Sequence, residues 1–181
     1  NVTNGDFCLE DVKNSYINSP NRLVVVLGVS NLIVVDTKDT VLILDQKYSQ
    51  NIKNIVKKLK LEKRTEIDNH RQVYRPWGFY DSIDSGENFQ VKRISVNPSA
   101  KLSLQKHKFR SEHWVVVKGV AKITCGSKTF ELSKNESTYI PQGQVHRLEN
   151  PTDQALEIIE IQTGSYLGED DIERIEDDYK R

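Results

Sequence analysis

Short runs of alternating apolar and polar residues, separated by turn-forming residues, fill the second half of this chain and restrict its fold more than any other feature. Four such runs are FQVKRISV, HWVVVKGVAKITC, KTFELSK and ALEIIEIQTG. The turn-forming groups between or beside them are Asn97-Pro98, Gly126-Ser127, Pro141-Gln142-Gly143 and Asn150-Pro151. A period of two is typical of strands, and Gly, Asn and Pro mark turns. Many short strands at even spacing predict an antiparallel sandwich or barrel from about Val73 onward.

The first third of the chain has a different pattern. From Arg22 to Asp45, β-branched runs interrupted by Gly, Asn and Asp predict short strands joined by tight turns. The next segment, SQNIKNIVKKLKLEKR, has apolar residues at helical spacing and predicts one helix, with Ser49 available as its N-cap. The acidic tail GEDDIERIEDDYKR is compatible with a short helix.

A polar stretch from Glu66 to Arg71 separates the two patterns and is interpreted as a linker. It divides the chain into residues 1–71 and 72–181, which we expect to be two domains. The first is too small to close an apolar core alone. We therefore expect it to pack against another segment or another copy, so that the protein is a homo-oligomer.

Composition excludes several classes of function. With 26 Lys and Arg against 26 Asp and Glu, the formal net charge is zero. We therefore expect neither a nucleic-acid partner nor a membrane partner. Cys8 and Cys125 are too few and too far apart for a disulfide scaffold, which indicates reduced thiols and a cytoplasmic location. Since the sequence has no Met and starts with NVTNGDF, we expect it to be a piece of a longer polypeptide.

Four residues in the second half have the chemistry and the spacing of metal ligands. Gln105 and His107 lie two apart in SLQKHK, so that on a strand they point to the same face. Glu112 follows after a turn, and His146 comes from PQGQVHRLEN. Two imidazoles, one carboxylate and one amide suit a divalent metal, with Zn, Co, Mn or Mg as candidates. The alternative for Gln105 is a position behind the ligands.

The spacing of these residues resembles the two cupin motifs. The first half reads Gln105-x-His107-x4-Glu112-x6-Gly119, and the second reads Pro141-x-Gly143-x2-His146-x3-Asn150. Gln105 stands where the first motif usually has histidine. Ser99 and Asn135 stand where the two motifs usually begin with glycine, a departure that affects turn geometry rather than chemistry.

A closer resemblance covers about Val73 to Arg181. The segments YRPWGFYDSIDSGENFQVKRISVNPSAKLSLQKHKFRSEHWVVVKG and ESTYIPQGQVHRLEN resemble the type II phosphomannose isomerases. These are cupin domains at the C-terminal end of bifunctional mannose-1-phosphate guanylyltransferase/mannose-6-phosphate isomerases. The resemblance implies a mainly β fold, a cupin (jelly-roll barrel) preceded by short β-helix-like coils and one helix. It also implies that residues 1–71 end the guanylyltransferase half, whose glycine-rich nucleotide loop is absent here.

The implied reaction is the interconversion of mannose 6-phosphate and fructose 6-phosphate, so that the expected partner is a small sugar phosphate. It needs a Lewis acid, a proton carrier and cationic contacts to phosphate. Arg147, beside His146, and Lys92 are the candidate catalytic residues, and no proton carrier is assigned. Residues 169–171 are either a closing segment that supplies it or a solvated face. Trp77 is expected in the core rather than under a sugar, and His113 is expected to face away from Glu112.

Two other classes of function stay open at this point. One is a non-catalytic sugar-binding or dimerisation cupin that serves the guanylyltransferase half. The other is an oxygen-using cupin dioxygenase, which the ligand set disfavours because such sites usually have three histidines or a facial triad.

Overall fold

The computed structural model describes residues 1–64 and 70–179. The chain divides into two compact units, Asn1–Arg71 and Gln72–Arg181. Residues 66–69 of the predicted linker lie outside the described residues. No helix in the described ranges has the length and the apolar character needed to cross a membrane.

The first unit is a four-stranded sheet in the order β1-β2-β3-β4. The strands are β1 (Val2–Glu10), β2 (Tyr16–Leu27), β3 (Leu32–Asp36) and β4 (Val41–Asp45). β1 pairs with β2 in parallel and β2 pairs with β3 in parallel, so that successive turns of the chain stack as a coil. β4 returns antiparallel to β3. The register shifts between Gly5 and Phe7, where a Cβ on Gly5 would collide with the Ser19 carbonyl oxygen.

One helix follows the coil, and it begins differently from the sequence prediction. A 3-10 helix at Gln46–Asn51 leads into the α-helix α1 at Ile52–Leu61. The Asp45 side chain caps the 3-10 helix by accepting a 2.9 Å hydrogen bond from the Lys47 backbone N–H. Ser49 lies inside the 3-10 helix, so its prediction as the N-cap is wrong. Asp45 has this role because its carboxylate follows a strand end directly and can reach the free N–H groups.

The second unit consists of two antiparallel sheets around one core. The sheet orders are β11-β10-β13-β8-β15 and β12-β9-β14-β7-β6-β5. Its strands are β5 (Gln72–Arg75), β6 (Gly78–Gly86), β7 (Phe89–Val96), β8 (Leu104–His107), β9 (Arg110–Lys118), β10 (Ala121–Cys125), β11 (Lys128–Leu132), β12 (Ser137–Ile140), β13 (His146–Glu149), β14 (Leu156–Gly164) and β15 (Ile172–Glu176). The prediction of a mainly β cupin barrel preceded by a coil and one helix is confirmed.

The acidic tail differs from its prediction. It forms a 3-10 turn at Glu169–Asp171 and then strand β15, which pairs antiparallel with β8. A short helix was the wrong interpretation of Ile172 and Ile175, whose spacing of three residues suits a helix. The edge of β8 offers backbone partners, and this tertiary pairing outweighs the weak local preference.

The barrel interior changes from apolar to polar along its strands. The inward residues of β14 are, in order, Leu156, Ile158, Glu160 and Gln162, all at most 4% exposed. Their partners across β7 are, in the same order, Val96, Ile94, Lys92 and Gln90. One end of the barrel is therefore an apolar core, which includes Trp77 and Trp114. The other end buries charged groups, which is costly unless they are paired or functional.

Two turns of the barrel use residues other than glycine at left-handed backbone angles. Ser99 has a φ of 56° and Asn135 a φ of 71°. These are the positions where the cupin motifs usually have glycine. Asn tolerates this region well, whereas Ser is rarely found there. Serine in place of the usual glycine at position 99 therefore causes local backbone strain.

We expect Ser99→Gly to stabilise the protein by about 0.5–1 kcal/mol. Relief of the left-handed strain is partly offset by the larger conformational freedom of Gly in the unfolded chain. Thermal or urea unfolding of the variant measures the effect, with Asn135→Gly as the matched control that should gain less. A loss of stability in Ser99→Gly exceeding that in Asn135→Gly would contradict this expectation.

Candidate metal centre

Three side chains from three strands meet at the polar end of the barrel. His107 ends β8, Glu112 lies on β9 and His146 begins β13, and each is at most 2% exposed. Their candidate ligand atoms all lie within 4.8 Å of one another. Glu112 Oε1 is 3.0 Å from His107 Nε2, and Glu112 Oε2 is 3.5 Å from His146 Nε2. The arrangement is that of an ion-binding cluster.

Nitrogen atoms of both histidines lack hydrogen-bond partners among the described residues. His107 Nδ1 and Nε2 and His146 Nε2 are buried and unpaired. Buried polar atoms are normally satisfied, so these nitrogens fit the place of a metal ion. The residues present therefore suit a divalent ion.

The tautomer of His146 is set by the backbone of the segment just before β13. Its Nδ1 lies 2.8 Å from the Gln144 carbonyl oxygen, which can only accept a hydrogen bond. Nδ1 therefore carries a proton, and in the neutral imidazole Nε2 has the lone pair that an ion would take. The Trp114 ring packs edge-on against the imidazole, with centroids 5.4 Å apart. The packing holds the ring plane, and the hydrogen bond to Gln144 places the proton on Nδ1.

The Glu112 carboxylate is held by donors on both oxygens. Gln162 Nε2 donates to Oε1 at 3.0 Å, Arg110 Nε approaches Oε1 at 3.4 Å, and Trp114 Nε1 donates to Oε2 at 3.0 Å. Burial raises the pKa of Glu112, but contacts with the two imidazoles outweigh burial and hold it well below its ordinary value. The carboxylate is thus a preorganised anion, as a metal ligand requires.

Gln105 lies beside the three ligands but has a protein partner. It pairs directly with His146 across the sheet, so both side chains project from the same face. Ser103 Oγ donates to Gln105 Oε1 at 2.8 Å. The amide oxygen has a second lone pair, so direct ligation and a position behind the ligands both remain predictions for Gln105.

A second charged cluster lies next to the ligands. Glu160 accepts from Trp114 Nε1 at 3.1 Å and from Gln162 Nε2 at 2.9 Å. Burial and the neighbouring Glu112 carboxylate raise the pKa of Glu160 to about 8. Burial lowers the pKa of Lys92, but Glu160 and Glu169 outweigh it, so the net shift is upward. Lys92 is therefore a buried permanent cation, whereas Glu160 can exchange a proton near neutral pH.

These groups enclose a cavity of about 50 Å³. Metal-side residues on its wall include Gln105, Arg110 and Glu112, and the lysine–glutamate cluster contributes Lys92 and Glu160. The remaining lining residues are Arg75, Trp77, Tyr80, Ile94, Leu102, Ser103, Gln162, Glu169, Ile172 and Arg174. The volume is enough for a few water molecules but far below the roughly 300–1,000 Å³ of ordinary ligand pockets.

The structure does not bring every predicted residue to this cavity. Arg147 follows His146 on β13 and points to the opposite face, where its Nη2 donates to Glu176 at 2.7 Å. It is not on the cavity wall, because neighbouring residues on a strand face opposite sides. Lys92 lines the cavity, whereas Arg93 faces Asp81, 4.0 Å away. His113 is exposed, as expected from its alternation with Glu112.

Sequence reasoning missed five residues of the site: Arg110, Trp114, Glu160, Gln162 and Arg174. A signal existed for the first two, because Arg110 and Trp114 lie two residues to either side of Glu112 on one strand. Trp77, expected in the core, is 4% exposed and also lines the cavity.

The fold and the site together define a cupin-type barrel with a buried His/Glu/His cluster that could hold a metal ion. Residues 62–177 match the sequence profile of the family described as mannose-6-phosphate isomerase C-terminal. Residues 8–59 match that of the MannoseP isomerase/GMP-like beta-helix domain. The chain belongs to the mannose-6-phosphate isomerase C-terminal family.

Curated relatives resemble the chain from end to end. It is 54% identical over 181 residues to the alginate biosynthesis protein AlgA of Pseudomonas aeruginosa, covering 100% of this chain and 38% of that protein. It is 52% identical to a mannose-1-phosphate guanylyltransferase of Salmonella montevideo, with the same coverage. The xanthan biosynthesis protein XanB of Xanthomonas campestris is 51% identical, again with 38% of its length covered. The chain thus spans 38% of the length of these relatives.

Solved structures resemble the chain in fold. A variant oxalate decarboxylase from Bacillus subtilis matches with a TM-score of 0.53 and 15% identity, over 60% of this chain and 31% of that chain. The cupin domain of Schizosaccharomyces pombe Cnp3 matches with a TM-score of 0.46 and 16% identity, over 48% of this chain and 64% of that chain. At these identities the likeness concerns the fold alone.

Proposed function

We propose that this chain is a metal-dependent aldose–ketose isomerase that interconverts mannose 6-phosphate and fructose 6-phosphate. The observation that carries the proposal is the convergence of His107, Glu112 and His146, with unpaired imidazole nitrogens, beside a polar cavity whose wall includes Glu112. Membership of the mannose-6-phosphate isomerase C-terminal family supports the choice of substrate.

The residues of the cluster would hold a divalent ion, with Zn, Co, Mn or Mg as candidates. Such an ion supplies Lewis-acid stabilisation of negative charge on a sugar oxygen. The chain itself orients the ligands: Gln144 fixes the His146 tautomer, and Arg110, Trp114 and Gln162 fix the Glu112 carboxylate. Gln105 is the proposed fourth ligand, facing the same cavity.

The isomerisation moves a proton between C1 and C2 of the sugar, and it needs a group that accepts and returns that proton. We assign this role to Glu160, because it lines the cavity and its pKa lies near 8. Trp114 and Gln162 hold its two oxygens in place. Lys92 lies on the same wall and provides positive charge for the anionic substrate.

The coil unit and the length of the relatives support a wider proposal. The first unit would be the end of a guanylyltransferase half, and the longer protein would also make GDP-mannose from mannose 1-phosphate and GTP. Leu23, Val25 and Leu27 alternate along β2, so they share one face of the strand, and they are 55%, 67% and 64% exposed. Such an apolar row supports the expected packing against another segment or another copy of the chain.

An assay of mannose 6-phosphate conversion tests the proposed function. The 181-residue chain is loaded with each candidate metal, and formation of fructose 6-phosphate is measured against metal-stripped protein. We expect turnover that depends on metal and is absent with neutral mannose. Metal-loaded protein that binds mannose 6-phosphate without converting it would instead favour the non-catalytic sugar-binding module.

A further inference from the structure

A segment of the chain lies at the mouth of the cavity, where Glu169 both lines the cavity and is partly exposed to solvent. Residues 165–171, here called the strap, connect β14 to β15 and carry Glu169 onto the cavity wall. Asp171 accepts hydrogen bonds from the backbone N–H groups of Lys108 and Phe109 at 3.0 and 3.2 Å. Arg110 Nη1 donates to the Gly168 carbonyl oxygen at 2.9 Å. The strap is therefore tied to the same β9 strand that bears Glu112.

The Glu169 carboxylate lies among positively charged side chains at this mouth. Its Oε1 accepts from Lys92 Nζ at 2.6 Å, and the Lys92 side chain is 5% exposed. Two further cations, Arg75 and Arg174, line the same cavity, and neither has a carboxylate within ion-pair distance among the described residues. Arg174 pairs with Gln105 across the sheet, which places it one strand from a predicted ligand. Arg110, which already contacts Glu112 and Gly168, lines the cavity as well, so that four positive side chains face it.

Separating the Lys92–Glu169 pair has a different desolvation cost for each partner. The Glu169 side chain is 43% exposed, so its carboxylate can turn outward and be hydrated. Lys92 has no such alternative, because it is buried and needs an anion beside it. Burial raises the pKa of Glu169, but Lys92, Arg110 and Arg75 outweigh it and lower the pKa overall. An anion is thus held at the mouth by the fixed charges around it.

We propose that Lys92, Arg75 and Arg174 form the phosphate subsite of the cavity, and that Glu169 on the strap fills it until a phosphate group displaces the carboxylate. The inference rests on the proposed function only for the identity of the anion as a sugar phosphate. It explains how a cavity of about 50 Å³ admits a substrate much larger than water. Entry of the phosphate breaks the Lys92–Glu169 contact, and the Glu169 side chain turns outward while Asp171 and Gly168 keep the strap in place. Departure of the phosphate restores the contact.

Binding of inorganic phosphate to the 181-residue chain tests the proposal without turnover. Isothermal titration is carried out with metal bound and again after the metal is removed by chelation. Glu169→Gln removes the competing anion and should tighten phosphate binding by about tenfold, the gain expected if Glu169 fills the subsite about nine-tenths of the time. Asp170→Asn is the matched control, because it makes the same charge change one residue along the strap. It should leave phosphate affinity within about twofold of the parent.

Substitution of a positively charged residue of the subsite should weaken phosphate binding rather than tighten it. Arg75→Gln should weaken phosphate binding by about tenfold, whereas Arg93→Gln, beside Lys92 but on the other face of β7, should not. Lys92→Gln is less informative alone, because it leaves Glu160 and Glu169 without a buried counter-ion and can impair folding. Circular dichroism and unfolding curves establish that each variant is folded before titration.

The outcomes separate this proposal from the proposed function. Phosphate binding that is tightened by Glu169→Gln and weakened by Arg75→Gln supports the subsite even if the chain does not isomerise mannose 6-phosphate. Glu169→Gln that binds phosphate no more tightly than Asp170→Asn overturns the subsite even if the chain is an active isomerase. If phosphate binding is lost when the metal is removed and is unchanged by both substitutions, phosphate binds to the metal. That result also overturns the proposal.

Discussion

His146→Ala is expected to lower isomerase activity by about three orders of magnitude and to remove most of the bound metal. The substitution deletes one of three converging ligands, whose Nε2 has no partner among the described residues. Loss of Lewis-acid stabilisation is worth several kcal/mol, and each ~1.4 kcal/mol is tenfold in rate. The barrel should stay folded, because the imidazole makes one hydrogen bond, to Gln144, and lies at the polar end of the interior.

Metal content and turnover of His146→Ala are measured beside Arg147→Ala. Arg147 is the next residue on β13 but faces the opposite side, paired with Glu176. Its substitution should leave metal content unchanged. The role in phosphate binding predicted for Arg147 from its position in the sequence is tested in the same assay through the KM for mannose 6-phosphate. Full activity of His146→Ala would show that the proposed metal mechanism is wrong.

Glu160→Gln is expected to remove much of the pH dependence of stability of the metal-free protein between about pH 5 and pH 8. The pKa of Glu160 is raised from 4.5 to about 8 in the folded chain, chiefly by burial. The folded state therefore holds a proton that the unfolded state has already lost. Its contribution to stability is complete below pH 4.5 and is lost as the pH rises through 8. A shift of this size corresponds to a few kcal/mol.

Urea unfolding of metal-stripped protein at several pH values measures this effect. The parent should lose a few kcal/mol between pH 5 and pH 8, and Glu160→Gln should lose much less. Glu157→Gln provides the control, because it makes the same substitution on the other face of β14. Parallel curves for the parent and Glu160→Gln across that range would mean that the pKa of Glu160 is not raised in the folded chain.

The strands and the convergence of His107, Glu112 and His146 could be predicted because they depend on local pattern. Gln105, His107 and Glu112 lie within eight consecutive residues, and alternation on a strand decides which of their neighbours share a face. The same rule correctly excluded His113. It also argues against Arg147 at the cavity, but adjacency to His146 was given more weight than alternation in that prediction.

The second cluster could not be predicted because its register depends on distant strands. In LEIIEIQTG both faces carry isoleucine, so the sequence does not tell whether Glu160 or Ile159 points inward. Pairing of Glu160 with Trp114 of β9 and Lys92 of β7 decides it. Arg174 was missed for a related reason, since its strand forms only because β8 offers an edge.

The position of β1 at the outside of the four-stranded coil has a practical consequence for handling the protein. No strand pairs with its outer edge in the part of the chain that the structure describes, and Val2 and Phe7 on this strand are 65% and 40% exposed. An unpaired edge with apolar side chains is a template for strand addition. Colloidal stability of the isolated chain is therefore limited at this edge, and charged substitutions at Val2 or Phe7 are the place to improve its solubility without touching the barrel.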